Sequence, residues 1–204
     1  SQTLAKQPNY TCTQQIERSY RRLPKRKFEL HDLLRLEVAL VDGKEMFAWP
    51  GARKFAEADL TEMVSGGAIG TGDSPTVAIG TLPTPGPRFK GHGRRDLGGQ
   101  TAIQYGYVGP RISSGDPLKA GGREATVGYH GSLWADTSTH ERLRLEVDAD
   151  DIPPVLGIGS ARDVMDYGRV KIGASEFLLP VGSELSMIDL YGNENRNRTQ
   201  FKSC

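Results

Sequence analysis

The chain has 204 residues, with 26 Lys and Arg against 25 Asp and Glu, and a hydrophobic content of 37%. This near balance of charge excludes the strong basic excess of a nucleic-acid-binding domain, so no nucleic-acid partner is expected. No apolar run reaches the roughly 18 residues of a membrane-spanning helix. The length is that of one sheet-rich domain, predicted over residues 1–204.

The N-terminal part begins with a weakly alternating stretch, residues 9–22, which predicts a first strand. A basic run overlaps its end and includes Arg18, Arg21, Arg22, Lys25, Arg26 and Lys27. We interpret this run as a solvated strand end and a turn around Pro24. The alternative is contact with an anionic surface such as lipid headgroups, so a membrane-surface contact stays open.

Residues 28–49 alternate between apolar and polar side chains, interrupted by Asp42-Gly43. Period-two alternation is typical of a strand with one buried face, and Asp-Gly between two such runs predicts a hairpin with a type I′ turn. This register places Val38 opposite Phe47 and Leu36 opposite Trp49. The hairpin therefore presents a long apolar face, covered either by the protein's own helices or by a hydrophobic ligand.

The next segment, 59–66, has the form of a capping box and predicts a short helix with Leu60, Met63 and Val64 on one face. Residues 66–91 are rich in Gly and Pro and are expected to form a lid or mobile loop. From residue 88 onward, short alternating runs separated by turn signals predict an antiparallel meander. Its strands are expected at 88–97, 100–108, 122–135, 140–150, 162–172, 175–180, 183–191 and 195–203.

The two cysteines, Cys12 and Cys204, lie near opposite ends of the sequence and outside any C-x-x-C motif. Two interpretations remain, unrelated free thiols or one disulfide that joins the terminal strands. The disulfide would indicate an oxidising compartment.

No catalytic constellation is visible in the sequence. The four histidines have no partner at metal-ligand spacing, and no G-x-S-x-G motif occurs. We therefore expect no metal, no cofactor and no enzymatic activity. An enzyme with a site on loops 66–91 and 109–122 is kept as an alternative.

Three segments carry a family resemblance. The hairpin Val41–Pro50, the strand–turn–strand Leu133–Glu146 and the closing segment Val170–Pro180 resemble the periplasmic lipoprotein carriers and their outer-membrane lipoprotein-sorting relatives. The resemblance implies a mainly β (α+β) fold: a curved antiparallel half-barrel of about 10–11 strands, with one or two short helices and a Gly/Pro-rich lid on its concave side.

What the resemblance implies about function is non-catalytic binding of an acyl chain, a lipid or a lipoprotein by a periplasmic or secreted protein. We expect this protein to be a monomer. An apolar pocket with few polar groups suits such a ligand. An envelope regulatory or interaction module is a second possibility. The residues expected to line the cavity, or else to form a filled core, are Leu34, Leu36, Val38, Phe47, Trp49 and Met63.

Overall fold

A computed structural model describes residues 9–42, 44–57, 60–64, 88–109 and 117–204. Twelve strands account for most of these residues, together with one helical turn, α1 (Leu60–Met63), and one 3-10 turn at Pro154–Leu156. The strands are β1 (Tyr10–Arg21), β2 (Glu29–Val41), β3 (Lys44–Ala48), β4 (Arg88–Leu97), β5 (Gln100–Gly109), β6 (Pro117–Ala120), β7 (Arg123–Thr126), β8 (Gly128–Asp136), β9 (Arg142–Asp150), β10 (Ile158–Ile172), β11 (Ser175–Asp189) and β12 (Glu194–Lys202).

Ten of these strands form one antiparallel sheet in the order β3-β2-β1-β12-β11-β10-β9-β8-β5-β4. The sheet is not closed, so β3 and β4 are its two edges. The remaining strands, β6 and β7, form a separate hairpin between β5 and β8. The predicted mainly β, antiparallel architecture is confirmed.

The hairpin of β2 and β3 has the predicted register. Val41 pairs with Lys44 and Val38 pairs with Phe47. Asp42 has φ of +52°, the left-handed conformation that a two-residue hairpin turn requires at its first central position.

The first and last strands are neighbours in the middle of the sheet. β1 pairs with β12 from Thr13–Lys202 to Arg21–Glu194. Cys12 and Cys204 form a disulfide just beyond the start of this ladder, which decides between the two interpretations of the thiols.

One expected turn does not exist. The segments 175–180 and 183–191 are predicted as two strands because Gly182 is a turn signal, but they form the single strand β11. The register shifts here, since Tyr167 pairs with Pro180 and Asp166 with Gly182, which leaves Val181 as a bulge. Pro180 is tolerated because the β11–β12 ladder extends only to Gly182, so Pro180 has no ladder partner on that side.

The segment 122–135 also differs from its prediction, because it is divided between β7 and β8. The turn at Gly121 and Gly122, both with positive φ, joins β6 to β7, and the β6 strand was not predicted. Of the predicted helix 59–66, the structure describes residues 60–64, which contain α1. Its expected capping residue Asp59 and most of the expected Gly/Pro-rich lid, residues 66–87, lie outside the described residues, whereas residues 88–91 begin β4.

The two faces of the sheet differ in chemistry. Directly opposed residues share a face, and one row of such residues crosses seven strands: Leu34, Ile16, Thr199, Ser183, Met165, Leu145 and Leu133. We call the face that carries this row the inner face and the opposite one the outer face.

Two cross-strand pairs of a tyrosine with a glycine lie on the inner face between β5 and β8. Tyr107 lies opposite Gly131, and Gly109 lies opposite Tyr129. The Tyr107 hydroxyl reaches past Gly131 and donates a 2.7 Å hydrogen bond to the carbonyl oxygen of Glu146. Burial raises the pKa of Tyr107 well above its ordinary value, so this hydroxyl stays a donor.

Candidate functional site

An apolar cluster at the β1–β3 end of the inner face contains five of the six residues predicted to line a cavity. Leu36 is completely buried there. We call this group the first cluster; its buried members are Ile16, Leu36, Val38, Phe47, Leu60 and Val64, and Leu34 and Met63 pack against them.

Trp49 is the predicted lining residue that does not join the first cluster. Its side chain is 43% exposed, and the β2–β3 ladder ends at Glu37–Ala48, so the expected pairing of Leu36 with Trp49 is not formed. The chain turns at this point because Ala52 donates to the carbonyl of Trp49 and Ala56 pairs back onto Phe47. Pro50-Gly51 favours this turn and ends the alternation one residue early.

The helical turn α1 covers the first cluster. Leu60 is 1% exposed and Val64 is also buried, and a 3.0 Å hydrogen bond joins the amide of Val64 to the carbonyl of Leu60. A single turn has too few hydrogen bonds to be stable alone. The contacts of Leu60, Met63 and Val64 with the sheet therefore hold α1 in place.

A second apolar cluster lies on the same face across β5 and β8–β11. Its buried members are Tyr107, Leu145, Met165 and Tyr167, and Tyr129, Leu133, Val147 and Leu178 pack against them. Sequence reasoning missed this second cluster because Leu143, Leu145 and Val147 alternate with charged residues and resemble a surface strand. Leu145, which is completely buried, shows that the alternation instead marks one buried face.

A polar band separates the two clusters in the middle of the inner face. Arg18, Asn197 and Thr199 are all buried although they are polar. Arg18 donates a 2.7 Å hydrogen bond from Nε to Asp32 Oδ1, and this bond lowers the pKa of Asp32. The inner face is thus divided into two apolar regions rather than one continuous stripe.

Asp163 lies beside the second cluster, opposite Val147 and Leu185. The residue is half-buried, but its Oδ1 is fully buried and has no hydrogen-bond partner. Burial raises the pKa of Asp163 to about 6. A carboxylate in this position is costly in its charged form.

We expect Asp163→Asn to stabilise the protein at pH 8 and to leave its stability unchanged near pH 3. The folded protein binds the Asp163 proton more tightly than the unfolded chain does. Stability is therefore lost as the pH rises from about 4, the ordinary Asp value, to about 6. The expected gain at pH 8 is about 1–3 kcal/mol, since one pKa unit corresponds to about 1.4 kcal/mol.

Urea unfolding of the variant and the wild type at both pH values measures this difference. Asp32, whose pKa is lowered, gives the opposite pH trend, but its contribution cancels when the two proteins are compared. If the difference in unfolding free energy between the two proteins does not change with pH, the charge of Asp163 is not its cause.

The outer face carries a groove of about 580 Å³ between β9 and β12. Ion pairs between neighbouring strands lie in its walls: Arg144 contacts Asp166 at 2.6 Å, and Arg198 contacts Glu184 at 2.7 Å. These arginines are already engaged in cross-strand pairs, so we assign the groove no ligand.

Within the described ranges, no group of three or more His, Cys, Asp or Glu side chains is placed to hold a metal ion. Among those same residues, no helix is long and apolar enough to cross a membrane.

The fold is similar to two solved structures. One is a LolA superfamily protein from Nitrosomonas europaea, with a TM-score of 0.41 and 11% identity over 98% of this chain and 88% of that chain. The other is described as an outer membrane lipoprotein-sorting protein domain from Vibrio parahaemolyticus, with a TM-score of 0.39 and 9% identity over 95% of this chain and 86% of that chain. No family model and no curated protein matches the sequence. The names of these two structures are those of the families that the sequence resembles.

Proposed function

We propose that this protein is a non-catalytic binding protein for a hydrophobic ligand, an acyl chain of a lipid or of a lipoprotein. The observation that carries the proposal is the first cluster with its cover. In the described part of the chain, one helical turn packs its apolar side chains on this sheet face.

The exchange that we propose is a competition for one surface. Leu60 and Val64 occupy the first cluster, and an acyl chain would replace them against Leu36, Val38 and Phe47. The Leu60 and Val64 side chains and an acyl chain are all apolar. The exchange therefore leaves the buried apolar area nearly unchanged and leaves no polar group unpaired. In this arrangement the inner face would be the concave side of a half-barrel.

The location that we propose is the periplasm or the exterior of the cell. The Cys12–Cys204 disulfide supports an oxidising compartment. We propose that the protein binds the ligand as a monomer.

Leu36→Trp should weaken ligand binding roughly tenfold or more while the fold survives. The larger ring would fill the space that an acyl chain needs, and a loss of about 1.4 kcal/mol corresponds to a tenfold change. Binding is measured by titration with a dansyl-labelled undecanoic acid, and native mass spectrometry of the purified wild type tests for a copurified lipid.

Two further variants separate binding from core packing. Leu60→Ser should strengthen binding, because it weakens the cover that competes with the ligand. Leu145→Trp makes the same change at an equally buried residue of the second cluster and should leave binding unchanged. If the wild type binds no lipid or dye, and Leu36→Trp is only destabilised by about 1–3 kcal/mol, the first cluster is a filled core and the proposal fails.

The exposed edge of the sheet favours a second candidate, an envelope regulatory or interaction module. β4 is exposed along nearly its whole length and, among the described strands, pairs with β5 alone. Such an edge can accept a strand from another protein. However, charged side chains and a bulge at Gly91–Gly93 protect this edge, and we therefore place hydrophobic-ligand binding first. The site of the enzyme alternative lies partly outside the described residues, at 66–87 and 110–116.

A further inference from the structure

Three connections meet at the end of the sheet where β1 ends and β12 begins. They are the β1–β2 turn, the β11–β12 turn and the segment that holds the 3-10 turn. The amide of Leu23 donates to Asn193 Oδ1 at 3.3 Å, and the amide of Leu190 donates to the carbonyl of Gly157 at 3.2 Å. Leu23 also packs so closely on Gly192 that a Cβ there would lie 2.9 Å from Leu23 Cδ1.

This end of the sheet exposes apolar side chains from each of the three connections. Tyr191 is 84% exposed, Leu23 is 62% exposed and Leu190 is 58% exposed. Val155 adds a fourth exposed apolar side chain beside them on the chain that leads to Gly157. One exposed apolar residue is ordinary, but four at one end of a domain indicate a surface that meets something apolar.

Cations are concentrated in one of the three connections. The β1–β2 turn contributes four cations and no carboxylate over residues 22–28. We call the apolar and cationic residues together the tip patch: Leu23, Val155, Leu190, Tyr191, Arg22, Lys25, Arg26 and Lys27.

Three carboxylates close to the tip patch in sequence have partners of their own. Glu29 accepts hydrogen bonds from Lys25 and Tyr20, and Glu194 pairs with Arg21. Asp189 accepts hydrogen bonds from the backbone and side chain of Asn193. Arg26 and Lys27 have no hydrogen bond or ion pair with the described residues, so their charges face outward.

We propose that the tip patch docks on a bilayer surface that contains anionic lipids. Leu and Tyr side chains enter the headgroup region, and Arg and Lys side chains bind the lipid phosphates around them, which is the composition of interfacial anchors. Paired strands hold the turns, so docking costs little ordering of the backbone. The proposal does not rest on ligand binding, because no residue of the tip patch belongs to the first cluster.

Flotation of the whole protein with phosphatidylcholine vesicles, with and without phosphatidylglycerol, tests the proposal. The protein should float with the phosphatidylglycerol vesicles and much less with the neutral ones, and salt should weaken the binding. Arg26→Glu/Lys27→Glu should reduce binding by about tenfold or more, and Leu23→Ser/Tyr191→Ser should also reduce it. In Tyr191→Trp, the new indole should shift its emission to the blue on binding and be quenched by brominated lipids.

A matched control is Arg94→Glu/Arg95→Glu, which makes the same change in net charge at exposed residues of the edge strand β4. This variant should bind vesicles nearly as well as the wild type. Equal losses in the two charge-reversal variants would mean general charge attraction and would overturn the proposal. An unshifted indole emission in Tyr191→Trp would overturn the proposal as well. A failure of the wild type to bind any vesicle would also overturn it and would favour a protein as the partner of the tip patch.

Discussion

Replacing both Cys12 and Cys204 with serine should lower the free energy of unfolding by about 2–5 kcal/mol. The disulfide joins residues 192 positions apart in sequence. A cross-link over so long a loop removes much of the conformational freedom of the unfolded chain, worth about 5 kcal/mol in the chain-entropy model. Removal of the cross-link should change the unfolded state more than the folded state, because the β1–β12 ladder still holds the same strands together in the folded protein.

Urea unfolding of the double serine variant measures this effect, and the reduced wild type is its matched control. The two should have the same stability, because both lack only the cross-link. Thiol titration of the denatured, unreduced wild type should find no free thiol. Equal stability of the oxidised wild type and the double variant would mean that the disulfide contributes nothing to folding.

Gly131→Ala should destabilise the protein by about 3 kcal/mol or more, at the upper end of ordinary overpacking. A Cβ at Gly131 would lie 1.9 Å from the carbonyl oxygen of Glu146 and 2.8 Å from the Tyr107 hydroxyl. The first of these is a backbone atom in the paired strand β9, so relief requires the strands to separate. The new methyl group would also displace the hydroxyl that donates to Glu146.

Gly91→Ala is the matched control for this prediction, since a Cβ at Gly91 meets no atom within 4 Å. We expect it to be neutral or to stabilise the protein by up to about 1 kcal/mol, because alanine restricts the unfolded chain more than glycine does. Thermal unfolding of both variants makes the comparison. A Gly131→Ala protein as stable as Gly91→Ala would mean that β8 and β9 are not packed as closely as the structure shows.

Local patterns in the sequence predicted the parts of the fold that depend on neighbouring residues. The Asp42-Gly43 step determined the register of β2 and β3, because turn geometry and alternation agree there. The same reasoning failed at Gly182, which is a turn signal in the sequence but lies next to a bulge within one strand. Only the ladder with β10 shows that the strand continues, and that partner is distant in sequence from the signal.

The candidate site was partly predictable for the same reason. Leu36, Val38 and Phe47 lie on one hairpin, and their shared face follows from period two. The second cluster draws on five strands, and its members come together through strand order, which alternation within a single strand cannot give. The predicted pairing of Trp49 with Leu36 was wrong because the alternation alone does not show that the β2–β3 ladder ends one residue earlier, at Glu37–Ala48.

The position of β12 has a consequence for how the domain folds during synthesis. β1, β2 and β3 can pair as soon as they are made, and β8 to β11 can pair with one another later. Among the strands that the structure describes, the two groups share no ladder until β12 is inserted between β1 and β11. A nascent chain that stops before Glu194 therefore leaves one edge of β1 and one edge of β11 unpaired. Unpaired strand edges of this kind can pair with strands of other chains and lead to aggregation.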